Sequence, residues 1–269
     1  MTPVVETRAL VKRYGDQLAV AGIDLAVGPG EIYGLVGPNG AGKTTTMKIL
    51  ATLLAPTAGE AYVTGIPVGA DPIEVRRRIG YMPDFYGVYD DLRVWEYLDF
   101  FARCYGVPAN RRPAMIAELL EIVNLGAKRE EYVESLSRGM RQRLCLAHTL
   151  VHDPALLILD EPASGLDPRA RVEMREILRE LRGMGKTILV SSHILPELGE
   201  MCTGVAIIDH GRVLRSGSIA EIERSLRASA LLRIDLIGDE TAAEAASAWL
   251  GTAPMVGDVL PVESTDAGR

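Results

Sequence analysis

Long hydrophobic runs are missing from this 269-residue sequence, and their absence excludes a membrane-spanning protein. No apolar run reaches the roughly 20 residues that a helix needs to cross a bilayer. The first ten residues, MTPVVETRAL, carry an acid and an arginine where a secretory signal would have its apolar segment. We therefore expect a cytoplasmic location.

Cysteine and positive charge are also scarce. The three cysteines, Cys104, Cys145 and Cys202, show no CxxC spacing, so we interpret them as reduced thiols rather than as disulfides or a metal site. The net charge of −7 argues against nucleic acid as a main partner. Much of the negative excess lies in residues 229–269, which hold seven acids and two arginines.

Apolar segments that alternate with helical patterns predict an α/β fold. IYGLV (32–36), LLIL (156–159) and TILVSS (187–192) are typical of buried strands. Strands alternating with helices imply a mainly parallel sheet with crossover connections. Residues of about 88–152 instead show only helical patterns, which predicts a helical insert between two strands.

The segment GPNGAGKT (37–44) carries the clearest chemical signal. It fits G-x-x-x-x-G-K-[ST], in which glycines let successive backbone N–H groups surround a phosphate. The helix after it adds the positive end of its dipole, Lys43 reaches the outer phosphates, and the Thr44 hydroxyl coordinates Mg²⁺. The alternative is a glycine-rich turn, but a predicted strand before the segment and a helix after it favour a phosphate-binding loop.

Acidic residues follow the next buried strand, in LLILDEP. Asp160 lies at the strand end that faces the nucleotide in such sheets, and Glu161 comes directly after it. We expect Asp160 in the magnesium shell and Glu161 as the general base that accepts a proton from water. The alternative is a solvated pair of acids without function. His193 ends another parallel strand on the same side, where it is able to reach a γ-phosphate.

Taken in order, these motifs resemble the ATP-binding subunit of an ATP-binding cassette (ABC) transporter over roughly residues 4–220. LSRGMRQR (136–143) resembles the signature LSGGQ with its basic helix. SGLDP (164–168) resembles the D-loop, and SSH (191–193) the switch-histidine motif. Tyr14 matches the aromatic residue that stacks on adenine.

The resemblance implies a P-loop NTPase of the ABC ATPase type. It would have a mainly parallel core sheet, an N-terminal antiparallel β subdomain and a helical subdomain, all within residues 1–220, and a small C-terminal α+β appendage at 221–269. It implies ATP and Mg²⁺ as ligands, with catalysis by Glu161, His193 and Lys43 and metal ligation by Thr44, Asp160 and Asp84. The expected nucleotide contacts are Tyr14, Gly37, Pro38, Asn39, Gly40, Ala41, Gly42, Lys43, Thr44, Thr45, Ser137 and Gly139.

Ser137 and Gly139 open a predicted helix, so their donors form a second anion site. They lie on the helical insert, remote from the phosphate loop of the same chain. The resemblance resolves this through a head-to-tail dimer, in which each ATP lies between the loop of one subunit and the signature of the other. The alternative is that Ser137 is an ordinary helix N-cap.

Two motifs depart from the family pattern, at three positions. Arg138 replaces the first glycine of the signature, and Met140 replaces its glutamine. Asp84 stands where the family has a glutamine that touches the metal, and a shorter, negative side chain there would be repelled by a γ-phosphate unless a metal screens it.

Further segments, among them YMPDFYGVYDDL (81–92), resemble the cytoplasmic subunits of ABC-2-type exporters, including the daunorubicin-resistance type. This implies a membrane-spanning partner and a peripheral place on the inner face of the membrane. Phe85 and Tyr86 either line a groove for a short helix of that partner or belong to the core. Two other hypotheses are a soluble cassette ATPase acting on nucleic acid or the ribosome, and a nucleotide-binding regulator that does not hydrolyse.

Overall fold

The computed structural model describes residues 2–84, 87 and 89–228, and two β-sheets organise them. The strands are β1 (Val5–Tyr14), β2 (Gln17–Val27), β3 (Ile32–Val36), β4 (Ala58–Val63), β5 (Ile66–Pro67), β6 (Ile79–Met82), β7 (Leu156–Leu159), β8 (Thr187–Ser192), β9 (Gly204–Asp209) and β10 (Arg212–Gly217).

The smaller sheet is antiparallel and has the strand order β2-β1-β4-β5. The larger sheet has the order β10-β9-β3-β8-β7-β6, in which only β10 runs antiparallel to its neighbour. Every residue of β3, β7 and β8 is buried, as expected for parallel strands covered on both faces. The predicted architecture of a parallel core sheet with an N-terminal antiparallel sheet is confirmed.

Helices alternate with the strands along the chain and include those of the insert. They are α1 (Lys43–Leu50), α2 (Pro72–Arg78), α3 (Val94–Cys104), α4 (Arg112–Ile122), α5 (Arg138–Thr149), α6 (Pro168–Gly183), α7 (Leu195–Gly199) and α8 (Ile219–Ala228). The sequence reading did not anticipate α2, although Asp71 caps it by accepting a hydrogen bond from the Glu74 amide at 3.0 Å, and Pro72 occupies its first turn.

The hydrophobic core of the cassette lies where the two sheets and α1 meet. It draws buried side chains from both sheets, for example Leu10, Ile158 and Leu189, together with Met47 and Leu50 of α1. The phosphate loop therefore rests on a buried core, since Ala41 of the loop belongs to the same cluster.

The insert formed by α3, α4 and α5 has its own apolar centre. Tyr97, Leu98 and Leu144 are fully or almost fully buried, and α5 contacts both α3 and α4. Arg143 on α5 donates to the carbonyl of Val123, just past the end of α4, at 2.9 Å. These contacts hold the start of α5, which carries the signature residues, on a rigid support.

Most of the described chain belongs to one compact unit, Met1–Ile219. Phe85, Tyr86 and the proposed appendage from residue 229 onward lie outside the described residues, so those expectations remain predictions. Among the residues that are described, no helix combines the length and the apolar character required to cross a bilayer.

Candidate functional site

The phosphate loop connects β3 to α1 and approaches other backbone segments very closely. A Cβ atom on Gly37 would lie 2.0 Å from the carbonyl oxygen of Ile208, and one on Gly42 would lie 2.5 Å from that of Ala19. Gly42 also has φ of 107°, a conformation that favours glycine. These two glycines of the motif are therefore required by the packing of the loop.

A cleft of about 260 Å³ opens over this loop. Most residues predicted to bind nucleotide or metal meet in it, together with two that the sequence reading missed, Gln17 and Ala19. The lining residues are Tyr14, Gln17, Ala19, Asn39, Gly40, Ala41, Gly42, Lys43, Thr44, Thr45, Asp84 and Glu161.

The start of α1 points backbone donors at this cleft. The first intrahelical bond runs from the Thr46 amide to the carbonyl of Gly42 at 2.9 Å. The amides of Lys43, Thr44 and Thr45 therefore have no acceptor within the helix. Free amides at a positive helix end favour an anion, so this end of the cleft suits phosphate groups.

Lys43 is almost fully buried at the floor of the cleft. Its Nζ donates to the carbonyl of Gly37 at 2.6 Å and to that of Pro38 at 3.2 Å, and it lies 3.5 Å from Oε1 of Glu161. The ammonium group of Lys43 therefore lies between the phosphate loop and Glu161, which follows β7.

Asp160 is held by a partner that the sequence reading did not assign. The Ser191 hydroxyl donates to Asp160 Oδ1 at 2.6 Å and accepts from the Glu161 amide at 2.8 Å. Asp160 is 1% exposed, and its Oδ2 is buried without a hydrogen-bond partner among the described residues. A buried carboxylate oxygen with no donor is costly, and a hydrated divalent cation would satisfy it.

Glu161 and His193 lie in contact. Oε2 of Glu161 is 2.9 Å from Nδ1 of His193, so the three predicted catalytic residues, these two and Lys43, come together. Glu161 also has φ of 50°, in a region that residues with a side chain rarely occupy. Such strained positions cluster at functional sites, where the surrounding structure maintains them.

Asp84 joins the same cleft from the segment after β6. Partial burial, followed by the negative charges of Asp160 and Glu161, raises the pKa of Asp84 above its usual range, while the positive charges of Arg138 and His193 oppose that shift. The structure thus surrounds Asp84 with two acids, where a cation would relieve the repulsion.

Tyr14 also lines the cleft, and its residue surface is 45% exposed. Nζ of Lys12 lies 5.3 Å from the centroid of its ring and donates to the carbonyl of Ala55 at 2.7 Å. The cation–π contact stabilises the ring. An exposed ring beside a phosphate loop suits stacking by a purine base.

Ser137 and Gly139 are not among the described residues that line this cleft. Ser137 caps α5, since its Oγ accepts from the Met140 amide at 3.3 Å. A Cβ on Gly139 would lie 3.1 Å from that of Ala170, so the start of α5 packs on α6. Within one chain, these two signature residues therefore stand outside the cleft over the phosphate loop.

Comparison with known proteins identifies the same kind of cassette. The family model described as "ABC transporter" matches residues 20–164. The Nod factor export ATP-binding protein I of Burkholderia orbicola is 44% identical over 214 residues, which cover 80% of this chain and 70% of that protein. The daunorubicin/doxorubicin resistance ATP-binding protein DrrA of Streptomyces peucetius is 42% identical over 244 residues, covering 91% and 74% of the two chains.

Solved structures agree with this similarity. A structure described as the ATP binding subunit of an ABC transporter superposes with a TM-score of 0.74 at 30% identity, covering 83% of this chain and 93% of its own. The cbiO1 subunit from Clostridium perfringens reaches a TM-score of 0.76 at 24% identity, over 84% and 92% of the two chains, and supports the fold alone.

Proposed function

This chain belongs to the ABC transporter family, and we propose that it is the ATP-hydrolysing subunit that powers a separate membrane-spanning exporter. The observation that carries the proposal is that Glu161 contacts both Lys43 and His193, and that Glu161 and Lys43 line the cleft over the phosphate loop. The export role is supported by the relatives, one described by Nod factor export and one by drug resistance.

ATP binds with its phosphates over the loop and its base toward Tyr14. The amides at the start of α1 donate to the phosphate oxygens, and the ammonium group of Lys43 offsets their outer negative charge. Because Gly37 and Gly42 leave no room for side chains, the backbone itself forms much of the phosphate site.

Hydrolysis transfers the γ-phosphoryl group to water. The water oxygen forms a bond to the γ-phosphorus, the bond from that phosphorus to the bridging β–γ oxygen breaks, and the products are ADP and inorganic phosphate. Glu161 accepts the proton of the attacking water. His193, 2.9 Å from Glu161, orients that carboxylate, and Lys43 stabilises the charge on the γ-phosphate oxygens.

Magnesium suits the acidic side of the cleft. The Thr44 hydroxyl, Asp160 and Asp84 would hold it, and the unpaired Oδ2 of Asp160 is the atom whose surroundings fit it best. Bound there, the ion would neutralise charge on the phosphate oxygens. Ser191 fixes the Asp160 carboxylate for this role through its bond to Oδ1.

The active form in this proposal is a head-to-tail pair of cassettes, either a homodimer or a pairing with a similar chain. Ser137 and Gly139 of one subunit supply an anion site for the nucleotide held by the other, since they lie outside their own subunit's cleft. The membrane-spanning partner holds the pair on the inner face of the membrane.

A soluble cassette ATPase acting on nucleic acid or the ribosome is the alternative. The negative net charge of −7 disfavours a polyanionic partner, and the similarity to export proteins favours transport.

Glu161→Gln tests the catalytic proposal. We expect the turnover of the full-length chain, assayed with its membrane partner, to fall by roughly 100-fold or more, because the amide cannot accept the proton. ATP binding should persist, because the phosphate loop is unchanged. Glu118→Gln, on the exposed face of α4, is the matched control and should retain wild-type turnover.

Two results would contradict the proposal. Normal turnover in the Glu161→Gln variant would remove Glu161 from catalysis. Failure of the wild-type chain to co-sediment with membranes that contain its co-expressed membrane partner would remove the transport role.

A further inference from the structure

We propose that Arg138, which replaces the first glycine of the family signature, is a positioning residue that joins the signature to the SGLDP segment (164–168) and through it to Glu161. The inference rests on the proposed function, since it concerns how two nucleotide sites influence each other. It assigns a role to a side chain that the family pattern does not contain.

Arg138 lies directly on the SGLDP segment of its own subunit. Its Nη2 donates to the carbonyl of Ser164 at 3.3 Å. A Cβ atom on the next residue, Gly165, would lie 2.3–2.6 Å from three atoms of the guanidinium group. Gly165 has φ of 67°, a conformation that favours glycine, and a side chain at this position would have to displace the guanidinium group of Arg138.

The contact continues from Ser164 to the catalytic glutamate. The Ser164 amide donates to the carbonyl of Glu161 at 3.0 Å, while the Ser164 carbonyl accepts from Arg138. A short path of hydrogen bonds therefore runs from Arg138 through the backbone of Ser164 to the carbonyl of Glu161. Glu161 itself adopts the uncommon φ of 50°, and we infer that the turn held by Arg138 helps to keep it in that conformation.

Neighbouring contacts also join α5 to the segments before and after SGLDP. Gln142, on the next turn of α5, donates to the carbonyl of Pro162, and Gly139 packs against Ala170 at the start of α6. A glycine at position 138 would leave these contacts in place but would remove the guanidinium from Gly165. Arg138 therefore adds a contact within the SGLDP segment itself, at Ser164 and Gly165.

In the proposed dimer, the signature faces the nucleotide of the partner subunit, so Arg138 links that nucleotide to the general base of its own subunit.

Arg138→Gly, which restores the family residue, is the direct test. In full-length chain assayed with its membrane partner, we expect maximal ATP turnover to fall by about 5-fold or more. The Hill coefficient for ATP should fall from about 2, the limit for two coupled sites, toward about 1. The ATP dissociation constant should stay within about 2-fold, since Lys43 and the loop amides are untouched. Arg138→Lys keeps the charge without the planar fork and should recover part of the loss.

Gly165→Ala breaks the same contact without changing Arg138. The new methyl group would displace the guanidinium, so we expect the same loss of cooperativity. Gly185→Ala is the matched control, because Gly185 has φ of 88° and nothing within 4 Å of its would-be Cβ. Backbone strain is then similar, and only Gly165→Ala should lower the Hill coefficient. The double variant Arg138→Gly/Gly165→Ala should be less impaired than the two single losses combined.

The outcomes separate this inference from the proposed function. Wild-type turnover and Hill coefficient in Arg138→Gly would overturn the inference, as would equal effects of Gly165→Ala and Gly185→Ala. A lower unfolding temperature with unchanged kinetics would show a merely structural role and would also overturn it. If the wild-type chain fails to hydrolyse ATP, the proposed function fails instead, and the inference falls with it.

Discussion

At the scale of single residues, Asp84 is the position where the chemistry of this cleft differs most from the family pattern. Its carboxylate shares the cleft with Glu161 and feels the negative charges of Asp160 and Glu161. A group in such surroundings is stabilised by a nearby cation. Magnesium should therefore interact with Asp84 more strongly than it would with a neutral amide.

Replacing Asp84 by asparagine tests this at constant size. We expect the magnesium concentration that gives half-maximal hydrolysis to rise several-fold, because one anionic oxygen ligand is lost, while the ATP dissociation constant changes by less than about 2-fold. The measurement is a magnesium titration of ATPase activity at fixed ATP. Asp91→Asn, at an exposed position, is the control, and superimposable titration curves for wild type and Asp84→Asn would refute the assignment.

At the scale of elements, the helical insert contains a partly buried histidine that ties α3 to α5. The ring of His148 stacks on that of Phe101 with centroids 4.3 Å apart, and its Nδ1 lies 3.4 Å from the Tyr97 hydroxyl. Burial, helped by the charge of His152, lowers the pKa of His148 to about 4. The folded state therefore binds a proton at His148 less readily than the unfolded chain does.

This difference predicts a pH dependence of stability. The contribution of His148 is fully present above the unfolded pKa of about 6.5, and it is lost as pH falls from there toward about 4, because only the unfolded chain gains the proton. Between pH 7.5 and 5.0 the loss should be about 2 kcal/mol. His148→Phe keeps the ring contacts but has no imidazole to protonate. Between pH 7.5 and 5.0 its free energy of unfolding should therefore fall by about 2 kcal/mol less than that of the wild type. Urea unfolding of both proteins at the two pH values measures it, and parallel losses would contradict the prediction.

Sequence patterns predicted the elements whose signal is local. The wholly buried strands β3, β7 and β8 follow from their own segments, IYGLV, LLIL and TILVSS. The helix after the phosphate loop was predicted without an end; α1 ends at Leu50, and Thr52 adopts φ of 61°. The end of α1 is followed by the left-handed conformation of Thr52, and a threonine gives no sequence signal for that conformation.

The candidate site was predictable as a set of residue types but not as a set of contacts. Motifs identified Lys43, Asp160, Glu161 and His193, because phosphate and metal chemistry restricts which side chains serve. The contact of Ser191 with Asp160 and that of Arg138 with Ser164 join residues about 30 positions apart. No local pattern encodes such pairs, since they depend on which strand ends and loops the fold brings together.

At the scale of the whole molecule, one cleft joins the two sheets. Tyr14 and Gln17 come from the antiparallel sheet, and the phosphate loop follows β3 of the core sheet. The Gly211 amide donates to the carbonyl of Ala41 at 2.9 Å, and the Ala21 amide donates to that of Gly211 at 2.7 Å. A nucleotide in the cleft therefore contacts both sheets and should stabilise them together.

Nucleotide binding should consequently raise the stability of the whole cassette, and dimerisation should make the increase depend on protein concentration. We expect saturating Mg²⁺-ATP to stabilise the Glu161→Gln chain by about 3 kcal/mol at 100 times the dissociation constant, because ligand binds only the folded state. If two cassettes enclose the nucleotides, the unfolding temperature with ATP should also rise as the protein is concentrated, whereas without ATP it should not.

Thermal unfolding of the Glu161→Gln chain over a hundredfold range of protein concentration measures both effects. Adding Lys43→Ala should abolish the ATP-induced rise, since it removes the buried ammonium at the floor of the cleft. Adding Ser137→Ala should keep the rise in dilute protein but remove its concentration dependence, because Ser137 lies outside its own subunit's cleft. An ATP-induced rise that is the same at every protein concentration would mean that one cassette binds ATP alone, and the signature would then have no nucleotide to contact.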